Sequence, residues 1–259
     1  MIIRLTGGLG NQMSQYAYGR AKSLKNNQKL YYYFIHYRGD AIRNYELKIF
    51  PIKGTKINGV VIDLLVKLGN LLHVRIPGIE LGYWQGERYF NDYEKEIRND
   101  FRFIKLLDKK NRDILNIINK TNSVSIHIRR GDYVFDKKTK EFHGLLPVEY
   151  YKKAIKIINK KIKNSKYFVF SDDPEWVKNN LKIDSAIYIY WNKGRKNYID
   201  MQLMSNCKHN IIANSSFSWW GAWLNCNPNK IVVAPQKWFN NAKAQKESTD
   251  LIPKTWKKI

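Results

Sequence analysis

Two adjacent arginines follow an alternating run in SVSIHIRRGDYV, residues 123–134. Val124, Ile126 and Ile128 would share one face of a strand, and Ser125, His127 and Arg129 the other. Arg129 and Arg130 therefore stand at a strand's carboxyl end, where parallel α/β sheets take their ligands. A guanidinium keeps its proton and grips phosphate oxygens in pairs. The other reading of the same residues is a structural ion pair, with Asp132 as partner.

Three further stretches could join such chemistry. TGGLGNQ (6–12) is a glycine loop opening a helix, where free N–H groups favour an anion. No GK[ST] follows, and Met13 stands where a dinucleotide fingerprint needs its third glycine. Gly8 and Gly10 would let backbone approach a phosphate, and Asn11 adds a neutral hydrogen-bonding group. In IIANSSFSWWGAWL a strand ends at Asn214, and Ser215, Ser216 and Ser218 open a helix, as caps or as phosphate ligands. In FVFSDDPEW, one of Asp172 and Asp173 caps a proline-initiated helix, which leaves the other for a base or ribose. Asp200 in NYIDMQLM is a similar candidate. No DxD is present, so the arginines would have to carry a leaving diphosphate without the usual acidic metal clamp.

The elements that must hold these residues alternate strand and helix, which predicts parallel sheets covered by helices. The chain of 259 residues fits two α/β units, 1–120 and 121–259. Strands are expected at IIRL, KLYYYFI, SVSIHI, KYFVFS, AIYIY, HNIIAN and KIVVAP. Helices are expected after the glycine loop, over 57–74 as an amphipathic or core helix, from YEKEIRNDF through about 119, and over 148–164. In that last helix Ile155, Ile158 and Ile162 oppose Lys152, Lys156, Lys160 and Lys163. Trp219, Trp220 and Trp223 read as core.

The net charge of +24 suggests an anionic partner: a phosphorylated small molecule, a nucleic acid or an anionic membrane face. The lysines are scattered and the aromatics sit within apolar elements, which argues against nucleic acid. Two cysteines make no disulfide framework, and neither a signal peptide nor a membrane span is apparent, so a cytoplasmic protein is expected.

GGLGNQMSQYA, GYWQGERYF, HIRRGDY, FSDDP and DMQLMSNCKHNIIANSSFSWWGAWLN, in this order, resemble the α-1,2-fucosyltransferases of glycosyltransferase family 11, in their bacterial form. The resemblance implies a GT-B-type α/β fold: two Rossmann-like domains with the active site in the cleft between them. The first would be the acceptor side and the second the GDP-fucose-binding side. It implies an inverting transfer of L-fucose from GDP-L-fucose to a β-galactoside in a surface polysaccharide or oligosaccharide, with no metal or other cofactor. Peripheral contact with the inner membrane face is a further use of the charge.

By the same resemblance Arg129 holds the β-phosphate and His127 touches the guanosine. Asn11 contacts the diphosphate or fucose, Asp172 and Asp200 lie near ribose and guanine, and Ser215 and Ser216 form a phosphate-binding helix start. Trp84, Gln85 and Asp40 are the acceptor-side candidates. The base that takes the acceptor's proton would be Asp132, unless that carboxylate only orients an arginine. Asp136, Glu141, His143, Glu87 and Asp40 are in reserve, and the departing phosphate could itself take the proton. A different linkage, or another GDP-deoxysugar, is the alternative activity.

Overall fold

The structure, a computed structural model, describes residues 1–34, 44–74 and 76–259. Asp40 lies outside the described residues. The chain divides into two compact units, Met1–Lys105 and Leu106–Ile259.

The first unit runs β1 (Ile2–Leu5), α1 (Leu9–Lys25), β2 (Tyr31–Phe34), β3 (Thr55–Lys56), α2 (Val60–Leu71), β4 (Ile79–Glu80) and α3 (Glu94–Asp100). Among the described residues its four strands are parallel in the order β3-β2-β1-β4. β1 alternates half-buried and buried residues, with Ile3 and Leu5 inward under α1. Helix and strand approach closely because α1 offers Gly19 there: a Cβ would stand 2.4 Å from Ile3 Cγ1. The far side of α1 is tied by Tyr16 and Arg20, which both donate to buried Asp100, at 2.7 and 2.9 Å.

The second unit runs α4 (Lys109–Lys120), β5 (Asn122–Ile128), α5 (Gly131–Phe135), α6 (Lys137–His143), α7 (Val148–Lys161), β6 (Ser165–Ser171), α8 (Pro174–Asn180), β7 (Ile187–Ile189), α9 (Tyr198–Asn206), β8 (His209–Ile211), α10 (Ser216–Leu224), β9 (Val232–Ala234), α11 (Ala242–Glu247) and β10 (Lys257–Lys258). Its six strands are all parallel, in the order β10-β9-β8-β5-β6-β7. Counted from β5, that is the 3-2-1-4-5-6 order of doubly wound nucleotide-binding sheets. Val124, Ile126 and Ile128 point into one core layer with Tyr151, Ala154 and Ile158 of α7. On the other side Trp219, Trp220 and Trp223 of α10 are buried and packed on one another, and Trp219 Nε1 donates to the Leu251 carbonyl.

Three expectations change. The helix predicted from YEKEIRNDF through about 119 is two helices, α3 and α4. The second of these packs on β5 and α9, so the units divide at 105 and not near 120. The helix over 57–74 is shorter, and its apolar side faces outward (Val60, Leu64 and Leu71 are 71, 66 and 76 % exposed), not into a core. The basic side of α7 is solvent-facing, as its pattern predicts.

Gly19→Ala should cost about 1–3 kcal/mol through overpacking against Ile3. At roughly 2–4 °C per kcal/mol for a chain of this size, a thermal melt should show a clear fall in midpoint.

Candidate active site

Each sheet has a topological switch point, where neighbouring strands run on to opposite sides, and ligands bind beyond the strand ends there. In the second unit the switch lies between β5 and β8. β5 ends at Ile128, one residue before the arginine pair, and β8 ends at Ile211, shortly before Asn214 and α10.

Arg129 is held by two carboxylates. Its Nη2 lies 2.6 Å from Asp132 Oδ1, and its Nη1 lies 2.7 Å from Asp172 Oδ2. Burial works against its charge, but Asp172 and then Asp132 outweigh burial and raise its pKa. The register supplies one partner: Ile128 pairs with Ser171, so the next residue on each strand brings Arg129 beside Asp172. Gly131 supplies the space, since a Cβ there would meet Asp172 Oδ2 at 2.6 Å. Arg130 is bound differently. Its Nε donates to Asp173 at 2.9 Å, its guanidinium stacks 3.7 Å over the Trp176 ring, and its backbone N–H donates to Asp172. Asp173 also caps α8, accepting from the Trp176 N–H at 3.2 Å. Arg130 is thus a structural pair, whereas Arg129 joins Asp132 and Asp172 beyond the carboxyl ends of β5 and β6.

His127 is buried beside Phe217 of α10, and its Nδ1 accepts or donates no hydrogen bond within the described residues. Burial, helped by Arg129, lowers its pKa to about 3, so it is neutral near pH 7. A buried polar atom without a partner is costly, and next to a phosphate-type arginine it fits a ligand's hydrogen bond.

Asn214 Nδ2 donates to the carbonyls of His143, Gly144 and Trp238, and so holds the strand end. Ser215 is the N-cap residue of α10, yet its hydroxyl does not cap the helix, while Ser218 donates back to the Ala213 and Ser215 carbonyls. Asp200 lies in another network: it accepts from Asn192 at 2.7 Å, Asn192 also donates to Asn111 Oδ1, and Trp191 Nε1 donates to that same oxygen. Burial raises its pKa to about 7.

Sequence reading passed over what surrounds His143. Its ring stacks on Tyr133 at 4.7 Å, and the Tyr133 hydroxyl donates to the Asn214 carbonyl. Burial lowers its pKa, with Asp132 opposing and Arg129 assisting. It lines a cavity of about 560 Å³ together with Lys137, Lys140, Glu141 and Lys237. Lys137 and Lys140 are one α6 turn apart, but nothing in the sequence links them to Lys237. Asp136 caps α6, accepting from the Thr139 N–H.

In the first unit the switch lies between β1 and β4. The glycine loop follows β1, and GYWQGERYF follows β4. Gly7 has φ +73°, and Gly8 is the N-cap of α1, with Gly10 buried in its first turn. Gln12 donates to the Gly7 and Asn44 carbonyls and accepts from the Glu46 N–H. Gln15 bridges the Thr6 N–H and the Gly82 carbonyl. These two glutamines, missed as site residues, fix the loop. Gln85 donates to Asn11 Oδ1 at 2.9 Å, which joins an acceptor-side candidate to a donor-side one. Trp84 stacks on Tyr18 at 4.2 Å and has φ +42°, a strained conformation for a tryptophan. Glu87 opens a short 3-10 turn in the same stretch.

Among the described residues no group of three or more His, Cys, Asp and Glu could hold a metal ion, and no helix is long and apolar enough to cross a membrane. Both cysteines are free.

Two parallel α/β units with arginine and glycine-loop chemistry at their switch points define a GT-B-type glycosyltransferase fold, and the NodZ α-1,6-fucosyltransferase of Bradyrhizobium, from a crystal soaked with GDP-fucose, shares it. That structure is 15 % identical, covers 86 % of this chain and 91 % of its own, and has a TM-score of 0.53. The model of glycosyl transferase family 11 matches residues 75–259, and the chain belongs to that family. It is 36 % identical to an α-1,2-colitosyltransferase of Escherichia coli, over 100 % of this chain and 98 % of that one. It is 34 % identical to the O-antigen biosynthesis glycosyltransferase WbnK of Escherichia coli, over 95 and 97 %.

Asp200 makes a pH signature. With its folded pKa near 7, above its unfolded value, the folded state binds the extra proton between about pH 4 and 7. Its contribution is present at low pH and is lost as pH rises through 7. Asp200→Asn should therefore gain unfolding free energy relative to the parent as pH rises from 4.5 to 8, measured by denaturant melts.

Proposed function

We propose that this enzyme transfers L-fucose from GDP-L-fucose to the 2-hydroxyl of a β-galactoside in a surface polysaccharide or oligosaccharide, inverting the anomeric carbon. The observation that carries this reading is Arg129, charged and partly exposed beyond β5 at the switch point of a nucleotide-type sheet. Membership of family 11 supports it.

As the C1–O bond breaks, its electron pair goes to the β-phosphate oxygen, and negative charge grows there. The Arg129 fork stabilises that charge, and neutral His127 hydrogen-bonds the guanosine through its free Nδ1. The acceptor hydroxyl attacks C1 from the opposite face. Phosphate oxygens arriving at Nη2 would free the Asp132 carboxylate, which now holds that nitrogen, to take the hydroxyl proton. Arginine bears the diphosphate charge, so the reaction proceeds without a divalent metal.

A second reading has a specific support. Colitose is fucose without its 3-hydroxyl, and a colitosyltransferase is among the similar proteins. Incubation with GDP-fucose and GDP-colitose against a panel of galactosides, with and without EDTA, separates the two readings. The expected result is an α-1,2-fucosyl product formed equally well in chelator. Exclusive use of GDP-colitose would establish the second reading instead, and failure in EDTA restored by magnesium would refute the metal-free step.

Arg129→Lys keeps a charge but loses the fork. It should fold normally and lose on the order of a hundredfold in turnover. Arg130→Lys should keep more turnover and lose thermal stability, since its contacts are to Asp173 and Trp176. Steady-state rates with melting curves check both.

A further inference from the structure

Helix α2 is inverted. A surface helix of a globular unit buries its apolar stripe. Here Asp63, Val66 and Gly69 are the buried residues, while Val60, Val61, Leu64, Leu65, Leu68, Leu71 and Leu72 are exposed. At ~100° per residue those seven fall within an arc of about 140°, a continuous apolar face. The inward seating is built for this orientation. A Cβ on Gly59, before the helix, would stand 2.1 Å from the Tyr33 ring, and one on Gly69 would stand 2.7 Å from the Val74 carbonyl. Asp63 accepts an ion pair from Lys67 at 3.1 Å and lies 3.8 Å from Arg4, so the helix's acid is turned inward and neutralised. An exposed apolar face of this extent marks an interaction surface.

We propose that α2 is a membrane-docking helix that lays its leucine face into the interface of an anionic lipid bilayer. Its twelve residues reach only about 18 Å, too short to span a hydrocarbon core of about 30 Å, so it lies in the plane. Charge selects the occupant. The chain carries +24, Lys67 borders the apolar arc, and exposed Lys48, Lys53 and Lys56 precede the helix. Two copies docking through this face would bring +24 against +24, whereas an anionic surface attracts each lysine near it. The charge thus gains a located use that α7, amphipathic but with its apolar side buried, does not provide. The inference does not depend on which sugar is transferred.

Co-sedimentation of the full chain with vesicles of phosphatidylcholine, alone or mixed with phosphatidylglycerol, tests it at ~0.1 and ~0.5 M salt. The mixed vesicles should bind at least about tenfold more tightly than the neutral ones, and high salt should remove that difference. Leu64→Ser/Leu68→Ser removes apolar area without adding repulsion. It should weaken binding on the order of 100-fold at an unchanged melting temperature. Leu71→Ser/Leu72→Ser, at the other end of the helix, serves where the first pair disturbs folding. Equal vesicle binding by parent and variants would overturn the proposal. So would absence of vesicle binding with a concentration-dependent dimer that the serine variants abolish.

Discussion

A guanidinium at the end of β5 must be kept charged while three-quarters of its side chain is out of water. Burying it costs free energy that only well-placed carboxylates offset. Asp132 and Asp172 do this from two elements, α5 and the end of β6, and their placement dictates the neighbourhood. The β5–β6 register must bring residue 172 level with 129. Residue 131 must lack a side chain, because Asp172 occupies the space a Cβ would take. Arg130 must turn to Asp173 and Trp176, because its neighbour has taken the nearer acids. The RRGD and SDDP stretches, forty residues apart, are one ion-pair assembly.

That assembly leaves Arg129 paired and not bare. Under the proposed reading, an incoming phosphate would exchange carboxylate contacts for its own, and the pre-oriented fork would make that exchange cost less than ordering a free arginine. The first unit orients its loop by neutral means. Gln12 and Gln15 satisfy backbone groups of the glycine loop and its neighbours, which leaves Asn11 and Gln85 joined beside the β1 strand end. Charge is placed in one unit and neutral hydrogen bonding in the other.

The second unit was legible in the sequence almost strand by strand, because fully buried parallel strands read as short apolar runs between turn residues. KYFVFS covers β6 except Ser165, and AIYIY, HNIIAN and KIVVAP each contain the strand found. The adjacent arginines, a cap from one of the two aspartates and the tryptophan core were legible because each follows from local chemistry; the structure makes Asp173 the cap. What escaped depends on partners distant in the chain. The three carbonyls that Asn214 Nδ2 meets are such partners, two of them about seventy residues earlier. The break between α3 and α4, the lysines around the 560 Å³ cavity and the seating of Asp200 on Asn192 are likewise tertiary facts.

Helices α2 and α7 show where periodicity stops being informative. Both have a 3.6-residue pattern with an apolar side, yet α7 covers β5 and its neighbours while α2 turns that side out. The pattern says that a face exists, not what lies against it. On the inward side Asp63 pairs with Lys67 and faces Arg4, and Gly59 leaves room for the Tyr33 ring, so the polar side of α2 is the one with partners in its own unit. Leaving the exposed leucines and valines of α2 in water costs free energy that a covering surface would recover, and that cost is the physical argument for one. The apolar face of α2, exposed among the described residues, is what the proposed lipid surface would cover.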